Sequence, residues 1–242
     1  MLPIMDSGQY TFDFEQDDED PSLTVIRGES NAHACRLIDQ WPEDWSASVL
    51  MLIGEAGCGK TLIARRLEAR SGGRYIDCAD PTQGIGCSLE SKALIILDHV
   101  DRLADEEGLF HLCNRLASEG GRMLLVARKP PERWGVELSD LLSRLNVIPQ
   151  ISILPPDEAM LRALLDHYFT KRQLDVSPEV IAWISLRLER SYSAAAEIVD
   201  KIDKNALIFK KKITIPFVRG LMDVPDQESF LHSFVNHDYC EN

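Results

Sequence analysis

The stretch IGEAGCGKTLIARRL, residues 53–67, limits the fold more than any other part of the chain. The residues before it, SVLMLI at 48–53, are almost all apolar, and Gly54, Gly59, Lys60 and Thr61 complete the pattern G-x-x-x-x-G-K-T. A buried strand, a glycine-rich turn and a helix in that order make a phosphate cradle. Backbone N–H groups of the turn face phosphate oxygens, the glycines let the backbone approach, and the helix N-terminus favours an anion. Gly54, Glu55, Ala56, Gly57, Cys58, Gly59, Lys60 and Thr61 are therefore the candidate loop for ADP or ATP. Lys60 would reach the outer phosphates and Thr61 would ligate magnesium. A glycine-rich turn with an incidental lysine leaves the order of the parts unexplained. Cys58 sits where a helix N-terminus lowers a thiol pKa, but a small residue at a variable loop position is the simpler reading.

A second segment, ALIILDHVD, is an apolar strand that ends in Asp98. With the loop in place, Asp98 reads as the carboxylate that holds the hydration shell of a magnesium ion. An efficient ATPase of this design has another carboxylate next, to orient the attacking water. Here the residue is His99, with Asp101 two positions further on as a substitute. Nucleotide binding with weak or absent turnover is the expectation.

Apolar runs at 48–53, 74–77, 93–97, 122–127 and 147–153 alternate with helical patterns at 31–41, 60–70, 107–119 and 137–145. Continuous apolar strands separated by helices predict a doubly wound parallel α/β sheet. The pattern changes after ILPPDEA. Leu161, Leu164, Leu165, Tyr168 and Phe169 keep helical spacing, as do Ala195, Ile198, Val199, Ile202, Ala206 and Phe209 further on. Pro156, Asp157 and Glu158 form a helix start with acids in its first turn. The predicted organisation is a mobile leader over 1–22, a P-loop domain over 23–153, a small helical lid over 154–222 and a polar tail over 223–242.

The formal net charge of −13 argues against nucleic acid as the main partner, because backbone binding needs lysine and arginine against phosphates. The run Lys210, Lys211 and Lys212 ends a predicted helix, where cations suit the dipole. Six cysteines at 35, 58, 78, 87, 113 and 240 contain no C-x-x-C and read as reduced thiols. No apolar stretch has the length of a membrane span, so a soluble cytoplasmic protein is expected.

A P-loop α/β domain followed by a helical lid resembles the AAA+ superfamily. LSDLLSRLNVIPQISILPPDEA is similar to the arginine-finger segment of the bacterial initiator DnaA and its relatives. KKITIPFVRGLM resembles the closing segment of Hda-type proteins, and QYTFDF near the start is similar to their sliding-clamp-binding peptide. The resemblance spans about residues 9 to 222. It implies a divergent Hda-type regulator that resets the initiator by promoting hydrolysis of DnaA-bound ATP while held on the DNA polymerase III sliding clamp. By that resemblance Gln9, Phe12 and Phe14 would enter the clamp, Arg144 would be the arginine finger, and residues 54–61 would hold ADP. It is also compatible with a homo-oligomer.

Departures from the family pattern accompany the match. Ser193 occupies the position of a lid arginine, with Arg190 one turn earlier, and Arg128 stands where a polar sensor is usual. With His99, they count against self-hydrolysis and against an active ATPase such as a clamp loader or helicase loader. A DNA-binding initiator is the weaker rival. The chain shows no basic recognition element, and 78–92 is too short for the two-helix insertion with which DnaA grips DNA.

The aromatic pair of the leader generates a direct expectation. Alternating Phe12 and Phe14 suit an extended peptide with one ring per pocket, and Gln9 offers both a donor and an acceptor. Replacing Gln9 and Phe14 by alanine should abolish clamp binding and leave the melting temperature unchanged. A micromolar peptide has about 8 kcal/mol to lose. Binding that survives both changes contradicts the assignment.

Overall fold

A computed structural model describes residues 24–41, 47–85 and 94–223, and the chain divides after Pro155 into two compact units. The first unit runs α1 (Glu29–Gln40), β1 (Val49–Ile53), α2 (Lys60–Ser71), β2 (Arg74–Asp77), β3 (Leu94–Asp98), α3 (Glu106–Glu119), β4 (Arg122–Ala127), α4 (Ser139–Leu145) and β5 (Gln150–Ser152). Single 3-10 turns at Val100–Arg102 and Pro131–Arg133 follow β3 and β4.

The five strands form one sheet in the order β2-β3-β4-β1-β5, and every pairing is parallel. Parallel strands are covered on both faces, which is why their sequences are nearly continuous apolar runs. The two-residue period shares them between the faces. Met51, Ile95, Leu97, Met123 and Leu125 pack with Leu109, Leu112, Leu116, Leu141 and Leu145, so α3 and α4 cover that side. Leu50, Leu52, Ile96, Leu124 and Val126 are equally buried and alternate with them. The buried Ala34, Ile38, Ile63 and Leu67 of α1 and α2 supply the matching apolar stripe.

Three elements begin two or three residues away from the sequence expectation, each for a local reason. Helix α1 starts at Glu29 because Asn31 acts from inside the helix: its side chain accepts from Gly28 N–H at 2.9 Å and donates to the Ile26 carbonyl at 2.8 Å. Helix α4 starts at Ser139, since the N–H groups of Glu137 and Leu138 are bound by the Glu106 carboxylate instead. Strand β5 covers only Gln150–Ser152, because 147 and 148 form a turn whose N–H groups return to Arg144 and Leu145. Val147 is consequently 81% exposed.

The second unit contains α5 (Glu158–Lys171), α6 (Pro178–Ser185), α7 (Tyr192–Phe209) and α8 (Ile215–Asp223). Asp157 caps α5 by accepting from Met160 N–H at 2.6 Å, and proline stands in the first turn of α6. Leu161, Leu164, Leu165 and Phe169 of α5 are buried, as are Ala195, Ile198, Val199 and Ile202 of α7. Tyr168, Ala206 and Phe209 are half-buried. Lys210 ends α7 in the left-handed region, with φ of 52°. No helix among the described residues is long and apolar enough to cross a membrane.

Two substitutions probe this packing separately. Leu125→Ala, at a fully buried position, should destabilise the first unit by about 2–5 kcal/mol. Asp157→Ala should cost the second unit about 1 kcal/mol through its lost cap. Denaturant titration followed by probes in each unit checks both, and equal effects on the two units would contradict their separation.

Candidate nucleotide site and the exposed arginine

The loop after β1 is shaped by steric need. A Cβ on Gly54 would lie 2.6 Å from Cys58 Sγ and 3.2 Å from Ile153 Cβ, so no side chain fits there. Gly57 and Gly59 have φ of 80° and 88°, backbone that side-chain-bearing residues rarely adopt. Gly59 then caps α2, whose first residue is Lys60. The buried Lys60 ammonium donates to the carbonyls of Gly54 and Glu55, both at 2.7 Å, which folds the loop around it.

An open cavity of about 370 Å³ lies against this loop, lined by Ala56, Gly57, Gly59, Lys60, Thr61, Leu62, Arg65, His99 and Arg128. Its charged side chains are cationic, and the α2 N-terminus adds a partial positive charge. That lining suits a polyphosphate. Asp98 and the Thr61 hydroxyl supply oxygen donors of the kind magnesium takes alongside phosphates and water.

Asp98 is only 1% exposed and is held by three donors. The Thr61 hydroxyl donates to Oδ2 at 2.6 Å, the Tyr75 hydroxyl to the same oxygen at 2.8 Å, and His99 N–H to Oδ1 at 2.8 Å. Burial pushes the Tyr75 phenol well up, and its hydrogen bond to Asp98 and the charge of that carboxylate add to the effect, so it remains a donor. The Arg65 guanidinium lies over the Tyr75 ring, 3.4 Å from its centroid. His99 follows in the left-handed region with φ of 54°, and its Nδ1 meets Asp77 Oδ1 at 2.9 Å.

Tyr75, Asp77 and Arg65 escaped the reading of the sequence. A signal existed in the topology: β2 pairs with β3 in the register Asp77↔Asp98. A polar residue at the carboxyl end of any parallel strand is a site candidate, because ligands of open α/β sheets bind beyond those ends. Asp101 proves a poor substitute for the missing carboxylate. It lines a separate small cavity with Glu106, Leu109 and Trp134, and its Oδ1 is buried there without a hydrogen-bond partner. Arg128, directly after β4, does reach the main cavity.

Arg144 stands on the last turn of α4, exposed, while Leu141 and Leu145 of the same helix enter the core. Leu138 and Leu142 are half-buried. The Arg144 guanidinium rests 5.0 Å from the Phe110 ring centroid on α3, and the cavity beside the P-loop does not include it. In the helical unit, Ser193 Oγ is 2.7 Å from Ser191 Oγ, and Ser191 caps α7 through Ala194 N–H. Ser193 therefore belongs to a helix start, and Arg190 just before it is exposed. Gln9, Phe12 and Phe14 lie outside the described residues, as does the tail from residue 224.

Strand order, a phosphate loop after β1, an acid at the end of β3 and a following helical unit define an AAA+ P-loop protein. Residues 157–222 match the family model described as the Hda lid domain. The match to that family is confined to the helical unit, and the fold of the whole chain is similar to that of DnaA. Among solved structures, domain III of the Thermotoga maritima replication initiation protein DnaA is similar with a TM-score of 0.65 at 15% identity, covering 84% of this chain and 97% of that one. Replication initiator DnaA bound to AMPPCP and single-stranded DNA gives 0.60 at 19% identity, covering 80% and 70%. The Thermotoga maritima RuvB Holliday junction branch migration motor gives 0.59 at 18%, covering 81% and 69%.

The thiols near the site are shielded. Burial pushes Cys58 up although Lys60 pulls it down, and burial with Asp77 and Asp98 nearby pushes Cys78 up to about 12. Since the thiolate is the reactive form, both should resist iodoacetamide at neutral pH in the native protein and react on unfolding. Mass mapping of alkylated peptides checks this, and rapid native labelling of Cys58 would contradict it.

Proposed function

We propose that this protein is a negative regulator of replication initiation that carries a nucleotide, is tethered to the sliding clamp, and presents Arg144 to ATP bound on DnaA. One observation carries the reading: Arg144 is exposed on α4, outside the cavity beside its own P-loop. An arginine that cannot serve its own site by position can serve a neighbour's. Its planar fork would stabilise charge developing on the transferred phosphoryl group, an effect worth roughly 10³–10⁵ in rate.

Further support comes from how Arg144 is held. The Phe110 ring backs the guanidinium, and the Glu106 carboxylate fixes the backbone entering α4. A DnaA relative of similar fold binds AMPPCP, and the Lys60-lined cavity fits such a ligand. Within that cavity Lys60 would neutralise phosphate charge, Thr61 and Asp98 would hold magnesium, and Arg128 would face the outer phosphates. His99 in place of a carboxylate would keep turnover slow. Clamp attachment rests on Gln9, Phe12 and Phe14 of the leader.

Nucleotide occupancy is tested by thermal shift. ADP should raise the melting temperature by ligand linkage, and Lys60→Ala should abolish the rise. No shift in the parent protein contradicts the pocket assignment. Isolated turnover on the order of 10 per second would favour a motor or loader instead.

The trans function is tested in a reconstituted assay with DNA-loaded clamp, ADP and ATP-bound DnaA. Arg144→Ala should keep clamp and ADP binding and lose the stimulation of DnaA. Arg144→Lys should restore little, because an ammonium lacks the planar fork. Full stimulation by the alanine variant contradicts the finger assignment.

A further inference from the structure

The turn that follows Arg144 puts an apolar residue into solvent where the sequence pattern runs on into a strand. Helix α4 ends at Leu145, and the N–H groups of Val147 and Ile148 return to the carbonyls of Arg144 and Leu145 at 3.3 and 3.2 Å. A bond from a residue to the third one before it is the 3-10 arrangement, in which the two side chains fall one above the other. By that geometry Val147 stands on the side of the turn that carries Arg144. The turn is held from both ends. Leu145 is fully buried and Ile148 packs against the same core, which leaves Asn146 and Val147 between them in solvent. Val147 is the most exposed large hydrophobic residue among the described ones, so its presentation calls for a reason.

Arg144 points outward as well, with the Phe110 ring as its neighbour. Among the described residues no carboxylate lies within ion-pair distance of it. Asp140 stands one turn earlier on α4, at the spacing of a helical ion pair, and makes none. On a chain of formal net charge −13, this guanidinium is thus flanked by an aromatic ring and an apolar side chain, with its charge uncompensated. Such a frame has a physical use at an interface. Apolar contact around a charged contact excludes water, and exclusion of water strengthens the attraction between guanidinium and phosphate. Valine supplies the contact at small entropic cost, because its branched side chain has few rotamers to lose.

We propose that Val147 is an apolar anchor that docks this edge of the protein onto DnaA, against an apolar patch bordering the phosphates of the ATP that DnaA holds. The inference rests on the reading of Arg144 as acting on that ATP. Val147 is a positioning residue and touches no reacting atom. It contributes to the affinity between the two proteins, and by closing the contact to water it protects the meeting of Arg144 with the phosphate. Arg144 contributes to the rate once the proteins are docked. The two residues, three positions apart on one turn, therefore carry separable parts of the same interaction.

The split between KM and kcat tests this. Initial rates of phosphate release are measured over a range of ATP-bound DnaA concentrations, with a fixed amount of this protein on DNA-loaded clamp and ADP present. Val147→Asp should raise the KM for ATP-bound DnaA by about 10-fold and keep kcat. Val147→Ser, which adds no charge, should move KM in the same direction, and Val147→Ile should match the parent. Arg144→Ala should lower kcat instead. Because position 147 is exposed, all three valine variants should keep the parent's melting temperature, its rise with ADP and its clamp binding. An unchanged KM in Val147→Asp, or a loss confined to kcat, would overturn the inference. A rise in KM in Val147→Asp alone would assign the effect to the new charge and overturn the apolar contact. No stimulation by the parent, or full stimulation by Arg144→Ala, would instead overturn the reading beneath it.

Discussion

A single buried carboxylate joins the parts of the candidate site. Asp98, at the end of β3, takes the hydroxyl of Thr61 from α2, the hydroxyl of Tyr75 from β2 and the backbone N–H of His99. Burying a charge is costly unless hydrogen bonds replace its water, and three donors do so here. The same bonds lock α2 onto the sheet and so fix where the P-loop ends. Everything facing the cavity inherits that placement: Lys60 one residue before Thr61, His99 one residue after Asp98, Arg65 over the Tyr75 ring.

The arginine proposed to act on DnaA is carried by the opposite face of the sheet. Helices α3 and α4 share a core with Leu97 and Leu125, and Arg144 emerges from the end of α4. A rigid support matters under the proposal that this arginine meets a phosphoryl group, because misplacement by an ångström is expensive in rate. Glu106 and Phe110 of α3 provide that support, one through the backbone entering α4 and one through its ring. One sheet thus presents a phosphate cavity at its strand ends and an arginine at a helix end.

The parts legible in the sequence were those coded by contiguous residues. The P-loop declares itself by spacing, and β2 and β4 fall on the expected residues because buried parallel strands are uninterrupted apolar runs. Ends set by side chains from elsewhere were misjudged. Glu106 takes the N–H groups that would have begun α4 earlier, and Pro149, without an N–H of its own, precedes a β5 shorter than its apolar pattern. In the site, Asp77 and Tyr75 were invisible for the same reason. Only the parallel register of β2 on β3 brings them to Asp98 and His99, and no local pattern records that register. Ser193 is the converse case, a departure noted by resemblance whose local role, beside the cap of α7, only the structure supplies.

The central claim is that this chain retains its own nucleotide while its arginine discharges another. Distinguishably labelled ATP, one label preloaded on this protein and the other on DnaA, measures both events in a single mixture with DNA-loaded clamp. The account predicts rapid release of phosphate from the DnaA-borne label while the other label persists on this protein. Loss of this protein's label first, with the DnaA-borne label decaying as it does alone, would contradict it.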